Sequence, residues 1–268
     1  MSRNSMGQTI IAVLGMALVP AVFSQQLPAS SEAADETYAV HGQITFLEQL
    51  ASAFHAPYSG PNSLSPRHGA ETFDMTLFMG ARLWSGAEVW VNPEIDQGFG
   101  LNDTLGLAGF PSGTAYKVGR SHPYWRLPRL FIRQTLDLGG ERESVEAAAN
   151  QLGGSQSANR IVLTVGKLSA SDIFDANGYS HDPRNDFLNW TAVDAGTWDY
   201  AADSWGYTVG AVAEWYQGPW ALRAGVFDLS DVPNSETLDP GFHEFQWNAE
   251  VARRYQLMDM PTIRATIS

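Results

Sequence analysis

The sequence alternates apolar and polar residues over long stretches, and this period of two constrains the fold more than any other feature. In the segment 71–84, one register is entirely apolar from residue 73 on: Phe73, Met75, Leu77, Met79, Ala81 and Leu83. Because successive side chains of a β-strand point to opposite faces, these six share one face of a strand. A strand in a soluble protein averages about 5 to 6 residues, whereas a tilted strand that crosses a bilayer needs roughly 9 to 11. The length of this face favours a membrane-spanning strand.

Eight other segments have the composition and alternation of strands, which brings the predicted total to about nine. They span residues 38–49, 86–95, 124–137, 160–168, 206–216, 219–228, 243–255 and 261–267. Their connections are mostly long and short in turn, and only the long segment 138–159 breaks the alternation. Outer-membrane barrels have short periplasmic turns and longer outer loops. The sequence thus predicts an all-β fold, a transmembrane antiparallel β-barrel whose long loops lie outside.

The predicted number of strands is odd, although a closed antiparallel bacterial barrel needs an even number to remove both sheet edges. The last predicted strand also lacks the terminal aromatic residue that is typical of a closing strand. We therefore expect a truncated barrel, or one strand that the pattern splits or misses.

The N-terminus predicts export. Arg3 precedes an apolar run over residues 9–23, and the small residues Val22 and Ser24 offer a cleavage site. A membrane anchor would need about 20 apolar residues, which this run does not reach. We expect residues 1–24 to be a signal peptide, 25–37 a linker and 38–268 the barrel domain.

Charge and motif content exclude several functions. The chain has 16 Lys and Arg against 29 Asp and Glu, a net charge of −13, which would repel a nucleic-acid backbone. The six histidines show no ligand spacing such as His-x-x-x-His, so no metal site is predicted. Glu94 and Asp96 stand two apart on one strand, which does not fit a glycosidase pair. We expect neither an enzyme nor a cofactor.

The third predicted strand carries polar residues on one face, and we assign that face to the lumen. Sugars present hydroxyl groups around rings with apolar faces, so a passage for them needs acceptors, donors and aromatic platforms. The acceptors and the platform are Glu88, Trp90, Asn92, Glu94 and Asp96, and arginine donors come from Arg82, Arg129 and Arg133. Two alternatives stay open: these residues simply face water in a wide barrel, or each arginine braces the wall by pairing with a carboxylate such as Glu88 or Glu214.

Longer motifs resemble one known family. Residues 91–100 are VNPEIDQGFG, 106–111 GLAGFP, 126–131 RLPRLF, 165–167 VGK, 173–175 IFD and 201–207 AADSWGY. Across about residues 38–256 the chain resembles the carbohydrate-selective outer-membrane porins of Gram-negative bacteria. The resemblance implies a sixteen-stranded barrel in the outer-membrane lipid that passes mono- and oligosaccharides by diffusion. The sequence leaves open whether the assembly is a homotrimer or a monomer. With about nine strands, this chain corresponds to the N-terminal half.

The longest predicted loop, 169–205, is acidic and rich in aromatic residues, which is typical of functional loops rather than disorder. By analogy with porins we expect it to fold inward and constrict the channel through Asp175, Asp182, Arg184, Asp186 and Trp190. The alternative is an outer cap or a contact between subunits. For the whole protein, the alternative function is an exported soluble β-sandwich that binds carbohydrate, which would need no detergent.

Overall fold

The computed structural model describes residues 35–114, 119–175, 181, 183–184, 186–194, 198–232, 235–255 and 263–267. The predicted signal peptide, most of the predicted linker and the loop residue Asp182 lie outside the described residues.

The described chain forms one antiparallel sheet of nine strands in which each strand pairs with the next along the sequence. The strands are β1 (Tyr38–Ala51), β2 (His68–Trp84), β3 (Ala87–Gly98), β4 (Arg120–Val145), β5 (Gly154–Leu168), β6 (Thr208–Gln217), β7 (Trp220–Asp228), β8 (Phe245–Tyr255) and β9 (Ile263–Ile267). The predicted all-β class and the number and order of the strands are confirmed.

Helical structure in the described residues is limited to short pieces in the loops. There are three 3₁₀ turns, Leu101–Thr104, Gly106–Gly109 and Ala170–Asp172, and one short α-helix, α1 (Trp190–Val193). Among the residues described, none of the helices is long and apolar enough to cross a membrane.

The predicted long connection 138–159 is wrong, because β4 and β5 both continue through it as a hairpin. The connection itself covers only 146–153. The apolar alternation that marks strands elsewhere is lost here at Gly139 and Gly140, where the backbone has φ of +87° and +94° and the register with β5 shifts. With this correction the connections alternate throughout. The long ones are 52–67, 99–119, 169–207 and 229–244, and the short ones 85–86, 146–153, 218–219 and 256–262. We call the two ends of the sheet the long-loop end and the short-turn end.

The two faces of the sheet differ as the alternation predicts. On β2, Phe73, Leu77 and Leu83 are 36–46% exposed, whereas Asp74 and Thr76 between them are almost fully buried. The exposed apolar face extends over neighbouring strands through Val40, Ile44, Phe46, Trp125, Leu130, Ile132, Leu163, Val165 and Trp247. A soluble protein rarely exposes so large an apolar surface. A β-sandwich would cover it with a second sheet, but the described strands form a single sheet, so the soluble alternative is not favoured.

Aromatic rings on the polar face cover glycines of adjacent strands. A Cβ atom added at Gly80 would lie 2.5 Å from the ring of Trp90, and one added at Gly210 would lie 2.5 Å from the ring of Phe227. Trp90 and Phe227 are both fully buried. The absence of a side chain at these glycines therefore lets the large rings pack against the wall.

Candidate channel lining

An arginine on β4 joins two carboxylates of β3 at the long-loop end. Arg126 forms ion pairs with Glu94 and Asp96, and Thr76 on β2 also donates a hydrogen bond to Glu94. Both carboxylates are almost fully buried. Charges in such positions are stabilised only when they are paired and hydrogen-bonded, which these contacts provide.

The long loop 169–207 supplies a second arginine, Arg184, which contacts Glu94 and a further carboxylate, Asp74 on β2. The Arg184 guanidinium lies 2.8 Å from Asp74 and 3.8 Å from Glu94. It also donates to Gln43 on β1 and to Thr76, each at 3.4 Å. We call Asp74, Glu94, Asp96, Arg126 and Arg184 the loop-end cluster. Its three acids and two arginines leave one formal negative charge.

The start of loop 169–207 is fixed to β4. Both oxygens of Asp172 accept hydrogen bonds from Arg129, at 2.8 and 2.6 Å, which is the two-point geometry favoured between arginine and carboxylate. The Arg129 guanidinium also stands 4.9 Å from the centre of the Tyr207 ring, at the other end of the loop. Arg129 thus contacts both ends of the loop at the long-loop end of the sheet.

The same loop reaches the opposite side of the polar face. The Asp175 backbone N–H donates to Glu250 on β8 at 2.7 Å, and the Phe174 ring meets Phe227 on β7 edge-on, with centres 6.0 Å apart. Arg184 of the same loop contacts β1, β2 and β3. Residues of the longest loop therefore contact the polar face on both sides of the sheet, at β7 and β8 and at β1 to β3.

Three other predicted loop residues have different positions. Asp186 and Trp190 are exposed. Trp190 lies against the long connection 99–119, where its backbone N–H donates to the Phe110 carbonyl at 3.0 Å. Asp175 contacts the wall through its backbone rather than through its carboxylate in the bond to Glu250. Of the predicted constriction residues, Arg184 makes a side-chain contact with the wall, to Asp74.

A histidine ties two parts of the loop together. His181 Nδ1 lies 2.5 Å from the Asp194 carboxylate, and Nε2 lies 2.5 Å from the Asp175 carbonyl oxygen. Both neighbours are acceptors, so both ring nitrogens donate, as they do in an imidazolium. Burial opposes protonation of His181, but these hydrogen bonds outweigh it and the pKa of the imidazole is raised above its usual 6.5. Side-chain atoms of Asp175, His181 and Asp194 lie within 4.8 Å of one another, but a metal ion could bind this group only after the His181 ring loses a proton.

The predicted lumen residues fall into two groups rather than one. Arg82, Glu88, Trp90 and Arg133 lie at the short-turn end, where Arg133 is 3.7 Å from Glu88 and the Trp90 indole N–H donates to Glu88 at 3.1 Å. Glu88 and Glu94 are six residues apart on β3, or about 20 Å at roughly 3.3 Å per residue. Asn92 and Arg129 are paired between the two groups.

Several residues of the lining escape the sequence reasoning. They are Arg126, Asp172 and Glu250. Strict alternation from Arg129 puts Arg126 on the apolar face, but a register shift between β3 and β4 pairs it with Glu94. The Pro128 between the two arginines is the signal that could have indicated such an irregularity. Glu214 and Glu250 form ion pairs with Arg223 on β7.

Comparison with known proteins identifies the family. The family described as carbohydrate-selective porin, OprB family, matches residues 62–258, which are 197 of the 268 residues. Among solved structures the chain is similar to Pseudomonas putida OprB, with a TM-score of 0.53 and 13% identity over 82% of this chain and 49% of that chain. The chain thus spans about half the length of that protein, with which it shares the porin β-barrel fold. No curated protein matches it. Since the family match covers well over half of the chain, this protein belongs to the carbohydrate-selective porin OprB family.

Proposed function

We propose that this chain forms the wall of a channel through which mono- and oligosaccharides diffuse across the outer membrane of a Gram-negative bacterium. The observation that carries the proposal is the contact between Arg184 of the long loop and Asp74 of β2, across the buried polar face. Family membership supplies the substrate class. Because the chain covers 49% of its structural neighbour, the activity of a whole channel is part of the proposal.

The loop-end cluster has the chemistry that a neutral, polyhydroxylated solute requires. Arginine offers several N–H donors in a fixed plane, and carboxylates accept from hydroxyl groups. The side chains of Arg126 and Arg184 are 12% and 16% exposed, so neither is fully buried by its ion pairs. A solute can exchange hydrogen bonds with such groups without being trapped, which transport by diffusion requires.

The exposed apolar face of the sheet supports a position in lipid. From Phe73 to Leu83 the outward register of β2 covers ten steps, about 33 Å along the strand at roughly 3.3 Å each. A tilt of about 40° reduces this to about 25 Å, the height of the apolar band of outer-membrane barrels. The proposed transport is passive, so it needs neither covalent chemistry nor a cofactor, and the protein would not act as an enzyme.

The experiment is a single-channel recording in a planar bilayer with and without maltose or glucose. The Arg184→Ala variant removes the link between the loop and Asp74, so we expect a higher ion conductance and weaker block by sugar. The matched control is Arg120→Ala, which removes an exposed ion pair with Glu236 in the long-loop region. We expect the control to behave like the wild type.

Two outcomes would contradict the proposal. Current that is insensitive to every sugar tested would remove carbohydrates as the substrate class. Equal conductance of wild type and Arg184→Ala would show that the loop does not narrow the passage. The assembly remains a prediction, and cross-linking of the detergent-solubilised protein would distinguish a homotrimer from a monomer.

A further inference from the structure

The β4–β5 hairpin extends beyond its neighbours at the short-turn end. β3 begins at Ala87, which pairs with Gln134, and β6 reaches β5 as far as Arg160. Residues 136–145 of β4 and 154–159 of β5 therefore continue without partners on β3 or β6. This hairpin is longer than the membrane-spanning wall requires, because a tilted strand crosses the bilayer in about 9 to 11 residues.

The hairpin is bent where it leaves the wall. Gly139 and Gly140 adopt positive φ, and the register between β4 and β5 shifts on both sides of Gly139. Such irregularities bend a strand and increase its local twist. A side chain at Gly140 would approach Asn159 at 2.8 Å, so a glycine fits the inside of the bend.

The tip of the hairpin returns to the polar face. The Arg133 guanidinium donates to the Asn150 carbonyl at 2.9 Å. Leu152 is 2% exposed and belongs to the same buried cluster as Trp90 and Phe131. Since Arg133, Trp90 and Phe131 all stand on the polar face, the tip lies over that face and not beyond the end of the sheet.

The segment that precedes β1 clamps the tip in this position. The Glu36 backbone N–H donates to the Gly153 carbonyl at 3.0 Å, and the Glu36 carboxylate accepts from the Gly153 N–H at 2.7 Å. Arg82 on β2 donates in turn to the Glu36 carbonyl at 3.0 Å. Arg82 binds the segment before β1, and Arg133 binds the tip itself. Two arginines of the sheet therefore hold the tip and this segment in place.

We propose that the tip, residues 146–153, forms a second narrowing at the short-turn end of the channel. A solute that has passed the loop-end cluster would meet Arg133, Glu88 and the Asn150 carbonyl before it leaves. These groups again offer donors and acceptors suited to hydroxyl groups. This inference rests on the proposed function for the solute, but the narrowing itself can be tested with ions alone.

The first test uses the absence of cysteine from the chain. A single cysteine, Asn150→Cys, is treated with a positively charged, membrane-impermeant methanethiosulfonate while KCl current is recorded. We expect the current to fall as the reagent adds bulk and charge in the passage. Glu141→Cys, on the exposed part of the hairpin, is the control and should keep its current after modification. Full modification of Asn150→Cys, verified by mass spectrometry, without a change in current would overturn the proposal.

The second test examines whether the tip lies against the segment that precedes β1. The Glu36 N–H donates to the Gly153 carbonyl at 3.0 Å, which brings the two backbones within reach of a disulfide, so Glu36→Cys with Gly153→Cys should form one under mild oxidation by copper phenanthroline. We expect the bond to form and the KCl current to stay at the wild-type level. A pair that does not oxidise in the folded protein would overturn the seated position.

The third test removes the tip. Replacing residues 141–154 with a two-residue turn should raise the KCl conductance, and an unchanged conductance would contradict the narrowing. If wild-type protein carries no current at all, the proposed function fails, whereas the disulfide test still reports on the position of the tip. A current that responds to the tip variants but not to sugar would retain the narrowing and remove only the carbohydrate.

Discussion

Leu77 lies near the middle of the outward apolar register of β2, and an arginine there should cost far more than one at the edge of the register. Four residues separate Leu77 from Phe73 and six separate it from Leu83, or about 13 Å and 20 Å along the strand at roughly 3.3 Å per residue. With a tilt of about 40°, these become about 10 Å and 15 Å of depth, so Leu77 lies within a few Å of the midplane.

An arginine at the midplane of a barrel costs about 2 to 4 kcal/mol, and one near the interface about 0 to 1 kcal/mol. For Leu77→Arg this corresponds to a decrease of about 30-fold to 1000-fold in the folding equilibrium constant, since about 1.4 kcal/mol is tenfold. The assay is guanidinium titration of the protein in phospholipid vesicles, followed by tryptophan fluorescence. Leu83→Arg is the control at the edge. Equal destabilisation by Leu77→Arg and Leu83→Arg would refute the assignment of this face to lipid.

Three further predictions concern the polar face and the loop. Gly80→Val should displace the Trp90 ring, because its Cβ would lie 2.5 Å from that ring; we expect about 1 to 3 kcal/mol of destabilisation and a changed near-ultraviolet circular dichroism. Asp74→Asn and Arg184→Ala should each raise conductance, and the double variant should add little, whereas additive effects would show that the two side chains act separately. The raised pKa of His181 means that its contribution to loop stability is complete below pH 6.5 and is lost as the pH rises through the folded-state value. Proteolysis of the loop should therefore accelerate as the pH rises from 6.5 in the wild type, and should lack this acceleration in His181→Gln.

The sequence could predict the strands because every second residue of a strand in this sheet faces lipid and is therefore apolar. The apolar register of β2 leaves no ambiguity about which face is outward, so Asp74 and Thr76 could be placed opposite it from the pattern alone. The same reasoning locates Glu94 and Asp96 on β3. Residues that belong to the lining by simple alternation were thus predictable.

Two kinds of feature were not predictable from alternation. A register shift between β3 and β4 reverses the side of Arg126, and no count of residues reveals such a shift in advance. The inward fold of the β4–β5 hairpin depends on long-range contacts, since the Gly153 N–H is bound by Glu36, 117 residues away. Gly139, Gly140 and the polar residues 141–144 indicate a loop when only the local pattern is considered.

The Arg184 contacts join distant parts of the chain. Its partner Thr76 lies 108 residues earlier, so the contact closes a long stretch of chain that includes β3, β4 and β5. The position of the loop therefore depends on the alignment of all these strands. We expect a change that shifts the register between β2 and β5 to displace the loop as well.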